Sequence, residues 1–318
     1  MSWTQTDIPD QSGRVAVVTG ANGGLGLQTA LALAGAGGHV VMAARNLDKA
    51  ERARREILDR HPDASLKVVE LDLADLASVA SAAASIRGDH EQIDLLVNNA
   101  GLMAVPEQQT ADGFEMQLGV DHLGHFALTA HLLPALLRAP DARVVTVTSV
   151  ARFMGRPVDP AHPHLVGRYG PWRAYAQAKW ANYHFGLGLQ RKLAAGGARA
   201  QSLIAHPGLT HTDLQSTTVE AGGAGRAGDF FHALTLGMGM APEEGARPQL
   251  RAATDPAARG GELYAPALVS TGPAVRRPLL RGRDARRIAQ LWELSERETG
   301  VVLDVPAAVA AAAAEHGR

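Results

Sequence analysis

Tyr175 and Lys179 stand four residues apart in the stretch Tyr-Ala-Gln-Ala-Lys. In a helix that spacing puts both side chains on one face, one turn from each other. A free phenol titrates near about 10, too high for a base at neutral pH. A neighbouring ammonium favours the phenolate and lowers that value. The expected unit is a proton donor or acceptor tuned toward neutrality, as general acid–base catalysis requires. Taken alone, the pair is more often a solvated surface helix, so its meaning depends on what the rest of the chain brings to it.

The elements that must position it follow from the hydrophobic pattern. Residues 14–19 form a short apolar run ending at Gly20, which reads as a buried parallel strand. Gly20-Ala21-Asn22-Gly23-Gly24-Leu25-Gly26 and a helical pattern through Leu33 follow. Glycine serves where a chain turns tightly, approaches a phosphate or packs a helix on a strand. The helix N-terminus then offers free N–H groups and partial positive charge to a pyrophosphate. A second strand, 39–44, ends at Ala44-Arg45. An NAD-selective dinucleotide fold places an acid there, about 20 residues after the glycines. Here no carboxylate repels a 2′-phosphate, and the Arg45 guanidinium is available to bind one. NADP(H) is therefore expected over NAD(H), with NAD(H) as the alternative.

Helices at 47–60 and 75–86 alternate with strands at 66–71 and 93–97. A long helical pattern covers 114–137, strands return at 143–148 and 198–205, and a helix at 173–193 carries Tyr175 and Lys179. Such alternation predicts right-handed βαβ units and a parallel sheet. Ligands in these sheets bind at the carboxyl ends of the strands, and Asp72, Asn99, Gly101 and Ser149 lie at such ends, as does His206-Pro207-Gly208. Further along, 210–240 carries Phe230, Phe231, Leu234, Leu236, Met238 and Met240 and suits a lid over an apolar substrate. A helix at 242–253, a short strand at 262–264, a helix at 284–299 and a weak or frayed helix at 306–315 complete the chain.

The 318 residues, 46% hydrophobic, suffice for a substantial core. A net charge of −1 gives no global field to draw in nucleic acid or an anionic membrane. With no cysteine, disulfides, thiolate nucleophiles and Cys-ligated metals are excluded, which fits a reducing compartment. Residues 1–10 have no apolar signal core. The longest apolar run, 27–44, is broken by glycines and His39 and reads as helix then strand, so a cytoplasmic protein with no transmembrane segment is expected. His162, His164, His206 and His211 have no metal-ligand spacing, so no metal is expected. Ser149 lacks the flanking glycines of a hydrolase nucleophile elbow.

Taken together, Thr19-Gly20-x-x-x-Gly24-x-Gly26, Asn98-Asn99-Ala100-Gly101, Ser149, Tyr175-x-x-x-Lys179 and Pro207-Gly208 resemble the short-chain dehydrogenase/reductase family over 14–264. The long gap from Ser149 to Tyr175, the Ala44-Arg45 strand end and Gly124-His125-Phe126 look most like its branch of retinol dehydrogenases and protochlorophyllide reductases. The resemblance implies one α/β domain, 1–318, with a Rossmann-type doubly wound parallel sheet of about seven strands. Substrate-pocket segments are expected near 150–172 and 210–240, with an extended C-terminal region at 266–318. By position, Tyr175 is the general acid/base, Lys179 lowers its pKa and holds the nicotinamide ribose, and Ser149 hydrogen-bonds the substrate oxygen. Gly20, Asn22, Gly24, Leu25 and Gly26 line the pyrophosphate, Asp72 and Leu73 the adenine, Asn99 and Gly101 the adenine-side ribose, and Pro207, Gly208 and Thr212 the nicotinamide.

One position departs from the family. Its usual Asn, which orders a water beside the Lys, is Asp121 here. If only the backbone carbonyl matters, Asp121 serves unchanged. If the side chain matters, a carboxylate favours the Lys179 ammonium while opposing its effect on Tyr175. The implied activity is interconversion of a carbonyl and an alcohol on a mostly apolar small molecule. The rival readings are double-bond reduction, an epimerase or dehydratase that retains its cofactor, and a dinucleotide sensor without turnover. Homo-oligomers are common in the family, though the long C-terminal region is placed to block the usual contacts.

Overall fold

The computed structural model describes residues 2–210, 239–280 and 284–316, the side chains of 313–316 excepted. Among the described residues eight strands form one sheet: β1 (Val15–Thr19), β2 (His39–Ala44), β3 (Leu66–Glu70), β4 (Leu95–Asn98), β5 (Arg143–Val147), β6 (Gln201–Ala205), β7 (Leu263–Pro266) and β8 (Ala274–Arg277), in the order β3-β2-β1-β4-β5-β6-β7-β8. Seven run parallel, in agreement with the expected sheet. The eighth is an addition. β8 pairs antiparallel with β7, Leu263 opposite Arg277. Its Ala-Val-Arg-Arg sequence shows no apolar run because it lies at the sheet edge, where charged side chains are tolerated and discourage further pairing.

Helices cover both faces: α1 (Gly24–Gly35), α2 (Leu47–Arg60), α3 (Leu76–Asp89), α4 (Gly124–Arg138), α5 (Pro171–Ala195), α6 (Pro242–Thr254), α7 (Ala285–Thr299) and α8 (Val305–His316). Within β1, Ala16 and Val18 pack toward α1, α2 and α6, while Val17 packs toward the core of α3, α4 and α5. A strand covered on both faces has no polar side to show, so these strands read as apolar runs. The C-terminal region is part of the body: Trp292, Leu303 and Val305 are buried in the α3–α4–α5 core. Among the described residues no helix is long and apolar enough to cross a membrane.

The helical pattern expected over 114–137 is not one helix. A turn of α-helix, Met116–Leu118, leads into a π-helical turn, Gly119–Leu123, before α4 begins. A π-turn adds a residue per turn and shifts the side chains that follow, and such turns are frequent at functional sites. A 3.6-residue pattern in the sequence cannot reveal one inserted residue. Asp121 sits in the middle of this turn.

Candidate active site

The strand order reverses between β1 and β4, and the carboxyl ends of β1, β2, β4, β5 and β6 open there onto a cavity of about 550 Å³. Of the residues expected to bind a dinucleotide, Gly20, Asn22, Gly24, Leu25, Gly26, Arg45, Asp72, Leu73, Asn99, Gly101, Pro207 and Gly208 line it, with Ser149, Tyr175 and Lys179. Thr212, and most of the expected lid, lie outside the described residues.

The glycine turn shapes the floor. A Cβ on Gly26 would stand 2.1 Å from the Gly20 carbonyl oxygen and 2.7 Å from Asn99 Nδ2, so no side chain fits there. Gly20 and Gly24 have φ of +66° and +49°, a region glycine adopts without strain. The next two helix starts are closed by side chains: Asn46 accepts from Lys49 N in α2, and Asp75 accepts from Ala77 N and Ser78 N in α3. Gly23 gives α1 no such cap. Its first N–H groups are left for a ligand, which fits a pyrophosphate.

Thr19 ties the two central strands together. Its hydroxyl accepts from Asn99 N at 2.9 Å and Ala100 N at 3.0 Å. The Asn99 side chain is committed to the protein, donating to the Thr19 carbonyl at 2.8 Å and accepting from Gln249 Nε2 at 3.1 Å. At the far end of the cavity, Lys49 joins Arg45 and Asn46 in the wall. Sequence reading missed Lys49. Its signal was its place one helical turn after Arg45, at the start of a helix that opens toward the same end.

The catalytic end is held by α5. Thr148, at the end of β5, donates to the Lys179 carbonyl at 2.7 Å, and Asn182 donates to the Val147 carbonyl at 3.1 Å. These bonds dock the helix on the strand and bring Tyr175 and Lys179 to Ser149. Tyr175 and Lys179 are both buried, with the Lys179 Nζ 5.6 Å from the Tyr175 ring centre. Ser149 hydrogen-bonds the phenol.

The expected lowering of the Tyr175 pKa is not found. Burial raises it above the ordinary value of 10.0, outweighing the help of Lys179 and Ser149, and Asp121 adds to the rise. Sequence reading weighed the ammonium without the desolvation of a phenol inside the protein.

Asp121 accounts for part of that result. Its carboxylate is fully buried, 3.0 Å from Lys179 Nζ, and accepts from Leu102 N at 2.7 Å. It stands behind the cavity wall. Its side chain, not its carbonyl, faces the lysine; the carbonyl accepts from His125 Nδ1 at 3.0 Å. His125 Nε2 therefore accepts a hydrogen bond from the Thr19 hydroxyl at 2.9 Å. Burial lowers the His125 pKa to about 4, so the ring stays neutral. His125 thus pins the π-turn to the point where the strand order reverses.

Several wall residues carried no chemistry for sequence reading to find. Met103, Met154 and Trp172 give the catalytic end an apolar lining, and the Trp172 ring meets that of Tyr175 edge-on. Of the four histidines considered for a metal, His164 pairs with Glu298 at 3.0 Å and His206 is buried in the cavity wall. Among the described residues no three acids or histidines gather as a metal site.

The sheet order, the uncapped glycine turn and the Ser–Tyr–Lys cluster define a dinucleotide-binding oxidoreductase. A short chain dehydrogenase family model matches residues 14–222, and the chain belongs to that family. It stands in the retinol dehydrogenase-like branch. Retinol dehydrogenase 13 of Homo sapiens is 35% identical over 91% of this chain and 85% of its own length. Polyprenol dehydrogenase of Mus musculus is 40% identical over 92% and 86%. Among solved structures, an uncharacterized protein from Mycobacterium paratuberculosis is 39% identical, with a TM-score of 0.79 over 95% of this chain and 99% of that one. A Beutenbergia cavernae protein described as an NAD(P)-dependent gluconate 5-dehydrogenase, solved with bound NADP, is 29% identical, with a TM-score of 0.62 over 80% and 95%.

Proposed function

We propose that this protein is an NADP(H)-dependent oxidoreductase that interconverts a carbonyl and an alcohol on a mostly apolar substrate. The observation that carries the reading is the single cavity wall shared by the uncapped glycine turn and by Ser149, Tyr175 and Lys179. A nicotinamide dinucleotide bound there supplies or accepts the hydride. Ser149 donates a hydrogen bond to the reacting oxygen of the substrate and stabilises charge developing on it. Tyr175 gives that oxygen a proton in reduction and takes one in oxidation. Lys179 holds the nicotinamide ribose and favours the phenolate. Met103, Met154 and Trp172 line the catalytic end with apolar surface and favour an apolar substrate. The names of the two long relatives point to the same substrate character.

The preference for NADP(H) rests on Arg45 and Lys49. Both line the cavity, and among the described residues neither is within ion-pair distance of an acid. A 2′-phosphate would meet two cations there. Titrating the purified protein with NADPH and NADH separately tests this. Tighter NADPH binding is expected, with the preference falling by roughly 10- to 100-fold in Arg45→Ala, the range of a charge-assisted contact. Equal binding would remove the 2′-phosphate reading. Net NADPH consumption with an apolar aldehyde or ketone then separates carbonyl reduction from epimerisation or dehydration. Tight binding with no turnover across a broad carbonyl panel would instead favour a dinucleotide sensor.

A further inference from the structure

We infer that Asp121 is a positioning residue that offsets part of the pull of Lys179 and thereby keeps Tyr175 a proton donor, setting the site for carbonyl reduction at neutral pH. The inference rests on the acid–base role proposed above for Tyr175 and deepens it.

The geometry makes Asp121 a fixed partner. Asp121 is held at three points, two on its carboxylate and one on its backbone carbonyl. Leu102 N donates to Oδ1 at 2.7 Å, the Asp121 carbonyl is pinned by His125, and Lys179 Nζ stands 3.0 Å from Oδ2. Lys179 Nζ and Asp121 Oδ2 form a buried ion pair. Gly101 closes over it: a Cβ there would lie 3.1 Å from both Asp121 Oδ1 and Lys179 Nζ. That glycine, read from the sequence as a ribose contact, also makes the room in which the two charges meet.

The consequence follows from charge. A lone buried ammonium draws a neighbouring phenol toward phenolate. A carboxylate at 3.0 Å from that ammonium offsets part of its pull on Tyr175, while burial of Asp121 raises its own pKa against the hold of Lys179 and Leu102 N. Burial of the phenol then outweighs what Lys179 and Ser149 contribute, and the phenol holds its proton. Lys179 itself is buried, which alone would lower its pKa, yet Asp121 and Tyr175 raise it, so it stays an ammonium. The other titratable groups around Asp121 do not compete. His125, just after the turn, and His122, within it, are held neutral by burial, with pKa values of about 4 and about 3. Glu115 precedes the turn and is itself protonated up to about pH 7.

A phenol that keeps its proton is an acid for a developing alkoxide, and it is a poor base for an alcohol. The overall equilibrium is untouched; what Asp121 sets is the pH at which each direction is fast.

Titration of tyrosinate absorbance tests this without cofactor or substrate. Wild type, Asp121→Asn, Asp121→Ser and each combined with Tyr175→Phe are compared, the serine variant serving if the amide is not tolerated. In the neutral variants one tyrosine is expected to ionise at lower pH than in wild type, and Tyr175→Phe should abolish that step. With saturating cofactor, the rising limb of alcohol oxidation should move to lower pH in Asp121→Asn. Oxidation at neutral pH should then rise by on the order of tenfold, the effect of removing one unit charge a few ångströms away. Coincident titrations in wild type and both neutral variants overturn the inference, whatever the turnover. A shifted titration with no turnover on any carbonyl upholds the Asp121–Lys179–Tyr175 coupling and overturns the carbonyl/alcohol reading instead.

Discussion

At the dinucleotide end the cavity is walled by backbone. Gly20, Gly24 and Gly26 bring main-chain atoms to the surface, and the start of α1 is left uncapped. At the catalytic end it is walled by buried, charged and hydrogen-bonding side chains: Asp121, Lys179, Tyr175 and Ser149. The glycine turn that floors the first end is made within seven consecutive residues. The second is assembled from three places in the chain, with Asp121 and Lys179 meeting across 58 positions of sequence. The dinucleotide end is thus a matter of steric room, the catalytic end of the balance between burial and charge. Steric room is fixed by residue type alone. Electrostatic balance depends on every charge that the fold brings near.

The sharpest way to break that contrast is to damage each end separately. Tyr175→Phe removes the proton carrier and keeps the ring that packs against Trp172. Turnover is expected to fall by roughly 10²–10⁴-fold, with dinucleotide affinity nearly unchanged; loss of both together, in a titration beside an activity assay, would mean that the two ends are not separable. Gly26→Ala should do the reverse. Its Cβ has no space beside the Gly20 carbonyl, so the floor of the dinucleotide end must shift. Affinity for NADPH should drop by at least an order of magnitude, while the tyrosinate titration of the apo protein stays as in wild type. A titration that moves with Gly26→Ala would show that the glycine turn also supports Tyr175.

What could be read ahead of the structure follows the same division. The parallel strands were legible because both faces of the sheet are covered and each strand is an apolar run. The glycine turn and the Tyr175–Lys179 pair were legible because their spacing is local, Ser149 because its place in the order of motifs matches the family, and all of them line one cavity. β8 was not, because an edge strand of Ala-Val-Arg-Arg carries no periodic signal. Nor was the π-turn at Asp121, since one extra residue per turn leaves the apolar pattern almost unchanged. The segment at 150–172 is fastened by contacts far apart in sequence: Tyr169 donates to the Val105 carbonyl at 2.6 Å and accepts from Gln117 at 3.0 Å, and His164 meets Glu298. No local rule predicts such pairs. Even the direction of the Tyr175 shift was misjudged from spacing, because burial is a property of the fold and not of the motif.

A smaller effect tests whether the charge balance extends past the catalytic groups. Glu115 sits just before the π-turn, buried, with its carboxylate accepting from Gln117 N at 2.8 Å and Leu118 N at 2.7 Å. Burial raises its pKa from 4.5 to about 7 against those two bonds, and Asp121 contributes to the rise. A carboxyl with a raised folded pKa is penalised where the unfolded chain is ionised. Below about pH 4.5 both states are protonated and nothing is lost; between about 4.5 and about 7 the unfolded state ionises first and the fold weakens; above that the penalty is constant. Relative to Glu115→Gln, the wild type should therefore lose on the order of 3 kcal/mol or less across that window, measured by urea unfolding. In Asp121→Asn the loss should shrink, because one of the negative charges opposing Glu115 is gone. A wild-type curve parallel to that of Glu115→Gln would mean that the two backbone donors hold Glu115 ionised throughout. An unchanged loss in Asp121→Asn would confine the influence of Asp121 to Lys179 and Tyr175.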